Sequence, residues 1–220
     1  MKKLLLAAVA FLFSATSFAQ LSTGGFSLDN STMYYGFRIG MNLSNLTGEN
    51  VYIGGVKPGF NIGGVVGLHL SETSPVMLES GLYYSERGAK DGKERVNYQN
   101  LEIPLLVKYG IAVNDQISFL PYFGPVFSRA FWGKTKQYED DLSDGKLRTV
   151  GTFDEENAKT GGLTRANLGI KLGCGVEYTN IYAEAGYLFG LTNICKDGDR
   201  LTKDATIRSN SFFVNIGVNF

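Results

Sequence analysis

Apolar and polar side chains alternate with a period of two along most of the chain, the pattern of β-strands that have one apolar face. The segment Asn167–Tyr178 is the clearest case, because apolar residues fill every second position and glycines or polar residues fill the others. A helix would be destabilised by glycine at this spacing. The alternation predicts eight strands: Tyr34–Asn42, Phe60–Leu70, Val76–Ser85, Leu101–Tyr109, Ile117–Ser128, Asn167–Tyr178, Ile181–Gly190 and Ser211–Phe220.

The links between these predicted strands are alternately short and long. The short ones are Ser71–Pro75, Gly110–Gln116 and Thr179–Asn180; the long ones are Leu43–Gly59, Glu86–Asn100, Arg129–Ala166 and Thr192–Asn210. Short periplasmic turns, long outer loops and an even strand count are typical of bacterial outer-membrane barrels. A soluble, lipocalin-like barrel would lack this alternation and would turn its apolar face inward. The sequence therefore predicts an all-β, eight-stranded, antiparallel up-and-down transmembrane β-barrel located in the cell outer membrane.

The first 19 residues have the features of a secretory signal peptide. Lys2 and Lys3 precede the apolar run Leu4–Phe13, and Ser17-Phe18-Ala19 forms a small-x-small cleavage site. Ten apolar residues fall short of the roughly 20 that a membrane-spanning helix needs. We therefore expect residues 1–19 to be removed and residues 20–220 to form one barrel domain.

Composition restricts the possible partners. The 21 Lys and Arg residues balance the 21 Asp and Glu residues, and neither sign forms a long block. Nucleic-acid binding is therefore not expected, whereas the apolar strand faces predict contact with outer-membrane lipids.

The non-apolar strand faces carry ionisable side chains of both signs. An eight-stranded barrel has an interior about wide enough for side chains to fill, so these charges are predicted to pair and to plug the lumen. A proton or ligand path along the same residues is the alternative. The predicted structural ion-pair network consists of Arg38, Glu79, Glu102, Lys108, Lys171, Glu177 and Glu184.

Motifs for catalysis or cofactor binding are lacking in the sequence. His69 is the single histidine, and no Gly-x-Ser-x-Gly segment occurs. The acidic segment Asp140–Gly145 lacks two oxygen ligands of a calcium loop. No catalytic residue, metal site or cofactor is predicted, and the protein is not expected to be an enzyme. Cys174 and Cys195 are predicted to remain free thiols, because strand pairing separates them by roughly 30 Å.

Three segments resemble the PorT-like outer-membrane β-barrel domain found widely in Bacteroidetes. They are Gly36–Leu46, Gly81–Gly88 and Leu101–Tyr109, of which the last, Leu-Glu-Ile-Pro-Leu-Leu-x-Lys-Tyr, is the most specific. The resemblance implies an outer-membrane location more firmly than an activity, although PorT itself belongs to a secretion and gliding apparatus. Phe220 looks like the terminal aromatic residue that the outer-membrane assembly machinery reads.

The leading functional hypothesis is a barrel with a structural or interaction role, whose four outer loops meet a protein, ligand or surface. Among the loops, the long link Arg129–Ala166 is the favoured contact, and a disordered, solvated excursion is the equal alternative for it. Three alternatives stay open: a small-solute channel, a membrane-embedded lipid-modifying or proteolytic enzyme, and a component of a secretion or gliding apparatus.

Overall fold

The computed structural model describes residues 33–48, 54–70, 74–138, 147–154, 162–195 and 206–220. The predicted signal peptide, residues 1–19, lies outside these ranges. The described residues form ten strands: β1 (Met33–Gly48), β2 (Lys57–His69), β3 (Val76–Asp91), β4 (Glu94–Tyr109), β5 (Ile111–Ala112), β6 (Ile117–Tyr138), β7 (Leu147–Gly151), β8 (Ala166–Tyr178), β9 (Ile181–Gly190) and β10 (Ile207–Asn219).

Eight of these strands form a closed antiparallel ring. The order of hydrogen-bonded neighbours runs β4-β3-β2-β1-β10-β9-β8-β6, and pairing of β4 with β6 closes the ring. The two short strands, β5 and β7, pair only with β6. Closure leaves no open edge among the eight long strands, as a spanning sheet requires. The predicted eight-stranded up-and-down barrel is thus confirmed.

Each strand separates two kinds of side chain across the wall. Outward residues such as Leu105 and Phe123 are 54% and 59% exposed, whereas the inward residues Arg38 and Lys108 are 0% and 1% exposed. A water-soluble protein would not leave a continuous apolar surface of this kind open to solvent. The exposed band is therefore the lipid-facing surface. In the described ranges, no helix is long and apolar enough to span a membrane.

Several strands extend further at the long-loop end than the alternation predicted. The predicted loop Glu86–Asn100 is mostly strand, because β3 runs to Asp91, β4 begins at Glu94, and a two-residue turn joins them. Gly92 in that turn has φ = 54°, a left-handed conformation that glycine adopts without strain.

The prediction of a loop over Arg129–Ala166 was also wrong for the first part of that range, which is strand. Strand β6 continues to Tyr138, and β7 returns along it through residues 147–151. The predicted strand Ile117–Ser128 is part of β6, and its Pro121 and Pro125 are tolerated there. Proline has no backbone N–H to donate to a neighbouring strand. Accordingly, pairing of β4 with β6 is interrupted at Leu105 and Leu106, between Pro104 and Val107.

Candidate functional site: the lumen and its outer end

The central ion cluster of the lumen is built around Glu79 on β3. Its Oε2 lies 2.7 Å from Lys108 Nζ on β4 and 3.6 Å from Arg38 Nη2 on β1. The Tyr34 hydroxyl donates a third contact to the same oxygen at 2.8 Å. All three charged groups are at most 1% exposed, so each depends on the others to offset the loss of water.

Tyr182 on β9 joins this cluster to a second one. Its hydroxyl accepts a 2.9 Å hydrogen bond from Lys108 Nζ and donates one of 3.2 Å to Glu184 Oε2. The Arg38 guanidinium lies 4.0 Å from the centroid of the Tyr182 ring, within cation–π range. The ring fits because the neighbouring strand has Gly175, where a Cβ atom would overlap it. Inward glycines therefore make room for inward aromatic rings.

Glu184 and Lys171 form the second cluster, with Nζ and Oε1 3.6 Å apart. Asn215 Nδ2 donates to the same Glu184 oxygen at 2.6 Å. Lys171 Nζ also lies 4.1 Å from the centroid of the Phe213 ring, again within cation–π range. The carboxylate thus has both a charge partner and an uncharged donor, which a buried ion pair needs.

The remaining predicted members occupy opposite ends of the lumen. Glu102 pairs with Arg87 at 2.7 Å, nearer the outer end. Glu177 accepts a 2.7 Å hydrogen bond from Asn219 Nδ2, and Asn219 Oδ1 in turn accepts one of 2.6 Å from Arg38 Nη2. Among the described residues, Glu177 therefore joins the network through the Asn219 amide and not through a direct ion pair.

Sequence reasoning missed Arg87 and Asn219. Arg87 had been assigned to a loop, although it lies two positions after Ser85 on the inward face of the same strand. Extending the alternation past Ser85 would have found it. The signal for Asn219 is weaker, since polar residues are common on inward faces.

The side chains leave little open space in the lumen. One cavity of about 20 Å³ is lined by Asn42, Asn61 and Asn215, whose amide Oδ1 atoms have no hydrogen-bond partner among the described residues. This volume suits one or two water molecules. A second cavity, of about 80 Å³, lies against Tyr34, His69 and Tyr182 near the short-turn end.

The outer end of the lumen is filled by apolar side chains, which we call the apolar cap. Tyr98, the polar member, shares a 2.6 Å hydrogen bond with Ser209. Segments after β7 and β9 fold over the mouth, since Leu163 bridges to Cys195 and Thr164 N donates to Ile194 O at 2.7 Å. The cap consists of Leu46, Ala89, Val96, Tyr98, Ala130, Phe153, Leu163, Ile194 and Ile207.

The two cysteines lie on different parts of the barrel. Cys174 lies opposite Ala185, the position expected from the Thr179–Asn180 turn. Cys195 packs against the apolar cap at the base of the last outer link. In the described part of the chain, no group of three or more His, Cys, Asp or Glu side chains is placed to hold a metal ion.

The closed ring, lipid-facing band and filled lumen together define an outer-membrane type of β-barrel. A family model described as "Outer membrane protein beta-barrel domain" matches residues 18–196. The chain belongs to this family, and it is a protein of the outer membrane.

Several solved outer-membrane barrels are similar to the chain. Ail, the attachment invasion locus protein of Yersinia pestis, has 12% identity over 86% of this chain and 99% of that chain, with a TM-score of 0.42. Neisserial surface protein A has 16% identity over 86% and 97%, with a TM-score of 0.44. A major outer-membrane protein of Thermus thermophilus has 16% identity over 84% and 99%, with a TM-score of 0.46. A comparison with curated proteins gave no match.

Proposed function

We propose that this protein is a non-enzymatic barrel whose wall and filled lumen are structural, and whose outer end meets a partner, ligand or surface. The observation that carries the proposal is that the lumen is closed in two places, its middle and its outer mouth. Buried ion pairs around Glu79 and Glu184 fill its middle, and the apolar cap fills its outer mouth. A solute path would need a continuous opening, whereas the two cavities that described residues line in the lumen suit a few waters each.

Conductance in planar bilayers tests the closed lumen. The purified full-length barrel should give no steady current above the leak of the bare bilayer, while an open porin in the same bilayers provides the positive control. Channel steps that persist after the barrel's folding is verified by its heat-modifiable gel migration would contradict the proposal and favour a small-solute channel.

The non-enzymatic assignment is supported by the state of the two carboxylates in the middle of the lumen. Glu79 and Glu184 are 1% and 4% exposed, and both accept hydrogen bonds from neighbouring side chains. A hydrolase needs an acid or base that substrate can reach. His69 instead packs edge-on against Tyr34, with ring centroids 5.7 Å apart. Turnover of outer-membrane lipid or peptide by the purified protein would contradict this assignment.

Three narrower points remain proposals. Removal of residues 1–19 can be tested by measuring the mass of the protein recovered from outer membranes. Recognition of Phe220 by the assembly machinery can be tested by measuring the folded yield of the variant Phe220→Ala. A role in PorT-type secretion or gliding rests on the resemblance of three segments to that domain, Gly36–Leu46, Gly81–Gly88 and Leu101–Tyr109. It predicts a secretion or gliding defect in a strain that lacks the protein, and normal secretion and gliding would remove this role.

A further inference from the structure

The outer wall of the barrel carries a group of cations beyond the apolar band. Above this band, the described outward positions of β3, β4 and β6 carry one carboxylate, Glu86, and four cations: Lys90, Arg95, Lys134 and Lys136. The four cationic side chains are exposed. We call them the cationic strip.

Strand register places three members of the strip in one row. Lys90 on β3 is the register partner of Arg95 on β4, and Arg95 is the register partner of Lys136 on β6. Side chains directly opposite each other on antiparallel strands have Cβ atoms about 4.5–5.5 Å apart, and like charges there repel. An anion that contacts two adjacent cations would be attracted to both and would offset the repulsion between them.

The strip begins at the height of the headgroup region of a membrane and extends above it. Trp132, a residue type enriched at membrane interfaces, lies beside the strip, and Lys134 Nζ is 5.0 Å from the Trp132 ring centroid. Lys134 and Lys136 follow Trp132 by two and four residues, so with tilted strands they lie roughly 5 and 10 Å above it. Arg95 precedes Leu101, the last outward apolar residue of β4, by six residues, or roughly 15 Å in height.

We propose that the cationic strip binds the phosphate groups of an outer-leaflet glycolipid, whose acyl chains lie against the apolar band directly below. Charge complementarity favours a phosphorylated headgroup. The vertical extent of the strip favours a large glycolipid headgroup over a phospholipid, whose single phosphate lies at one depth. The surface lies on the barrel wall and not in the outer loops, so this binding goes beyond the proposed loop function and does not depend on it.

Lipid titration of the full-length protein in phosphatidylcholine nanodiscs tests the proposal. Trp132 is the single tryptophan in the chain and reports binding through its fluorescence. Lipopolysaccharide with a phosphorylated inner core should shift the emission, whereas the same lipopolysaccharide after removal of its phosphates should not. The variant Lys90→Gln/Arg95→Gln/Lys136→Gln should bind roughly a hundredfold more weakly, from about tenfold less binding per 1.4 kcal/mol and about 1 kcal/mol per cation.

Arg208→Gln is the matched control for Arg95→Gln. Arg208 is an exposed cation on β10, which lies diametrically across the ring from β4. Arg95→Gln should weaken binding about fivefold, and Arg208→Gln should leave it unchanged. Native mass spectrometry of the same variants gives retained lipid independently of fluorescence, and heat-modifiable migration shows that each variant has folded.

Three outcomes would overturn the proposal. Equal binding of the phosphorylated and dephosphorylated lipids would show that phosphate is not recognised. Equal losses in Arg95→Gln and Arg208→Gln would show a general charge effect without a site. Inositol hexaphosphate that binds in solution as tightly as the lipid would identify a soluble polyanion as the occupant.

Discussion

Strand β4 obeys opposite burial rules at its two ends. Towards Tyr109, the outward residue Leu105 is 54% exposed and the inward residue Lys108 is 1% exposed. Towards Glu94, the outward residue Arg95 is exposed and the inward residue Val96 is 0% exposed. The first arrangement suits a wall surrounded by lipid, and the second suits a wall surrounded by water.

The inversion shows that the solvent outside the wall decides which face must be apolar. Within the membrane, apolar side chains gain nothing from facing inward, so the lumen accommodates the ion clusters around Glu79 and Glu184. Above the membrane, burial from water again stabilises apolar groups, and the interior becomes the apolar cap. One continuous strand therefore changes from a membrane-barrel pattern to a soluble-barrel pattern, and its pairing with β6 shifts register between Gln99 and Asn100.

The largest effect is expected from breaking the ion cluster in the membrane half. Glu79→Ala leaves Lys108 and Arg38 buried without their carboxylate, which should lower the free energy of unfolding by about 3–5 kcal/mol. Urea unfolding of the barrel folded into lipid vesicles measures the loss. The control is Glu86→Ala on the same strand, where a half-buried outward carboxylate accepts one 3.1 Å hydrogen bond from Tyr84 and should contribute about 1 kcal/mol or less. Equal losses in the two variants would refute a structural role for the cluster.

A pair of arginine substitutions on β4 tests the position of the membrane boundary. Leu105→Arg places a charge in the apolar band and should cost about 2–4 kcal/mol, whereas Asn97→Arg places it on the same face above the band and should cost about 0–1 kcal/mol. The same unfolding experiment compares them. Similar costs at both positions would mean that the wall does not pass from lipid to water between Leu105 and Asn97.

The smallest effect is expected in the apolar cap. Tyr98→Phe removes the 2.6 Å hydrogen bond to Ser209 and should cost about 1 kcal/mol, since it leaves the buried serine hydroxyl without this partner. Adding Ser209→Ala removes that orphaned group, so the double variant should lose less than the sum of the two single variants. Strict additivity would show that the two hydroxyls do not stabilise each other. Tyr178→Phe, on the outward face near the short-turn end, is the control.

The strand pattern was predictable within the membrane and not above it. The predicted strands ended at Asn42, Ser85 and Ser128, close to where the outward face ceases to be apolar, whereas β1, β3 and β6 run on to Gly48, Asp91 and Tyr138. The alternation in fact continues beyond these points, where inward positions hold members of the apolar cap: Leu46 on β1, Ala89 on β3 and Ala130 on β6. A prediction that follows only the outward apolar face therefore mistakes the continuing strand for the start of a loop.

The sequence by itself determined the class of the protein, because period-two alternation, strand number and connection length all follow from neighbouring residues. It also determined that charges of both signs would share the inward faces. Only the tertiary structure decided the partners: Glu79 meets Lys108 of the next strand and also Arg38, which is 41 residues earlier in the chain. Such contacts depend on ring closure, shear and the room that glycines leave for aromatic rings, none of which is a local property of the chain.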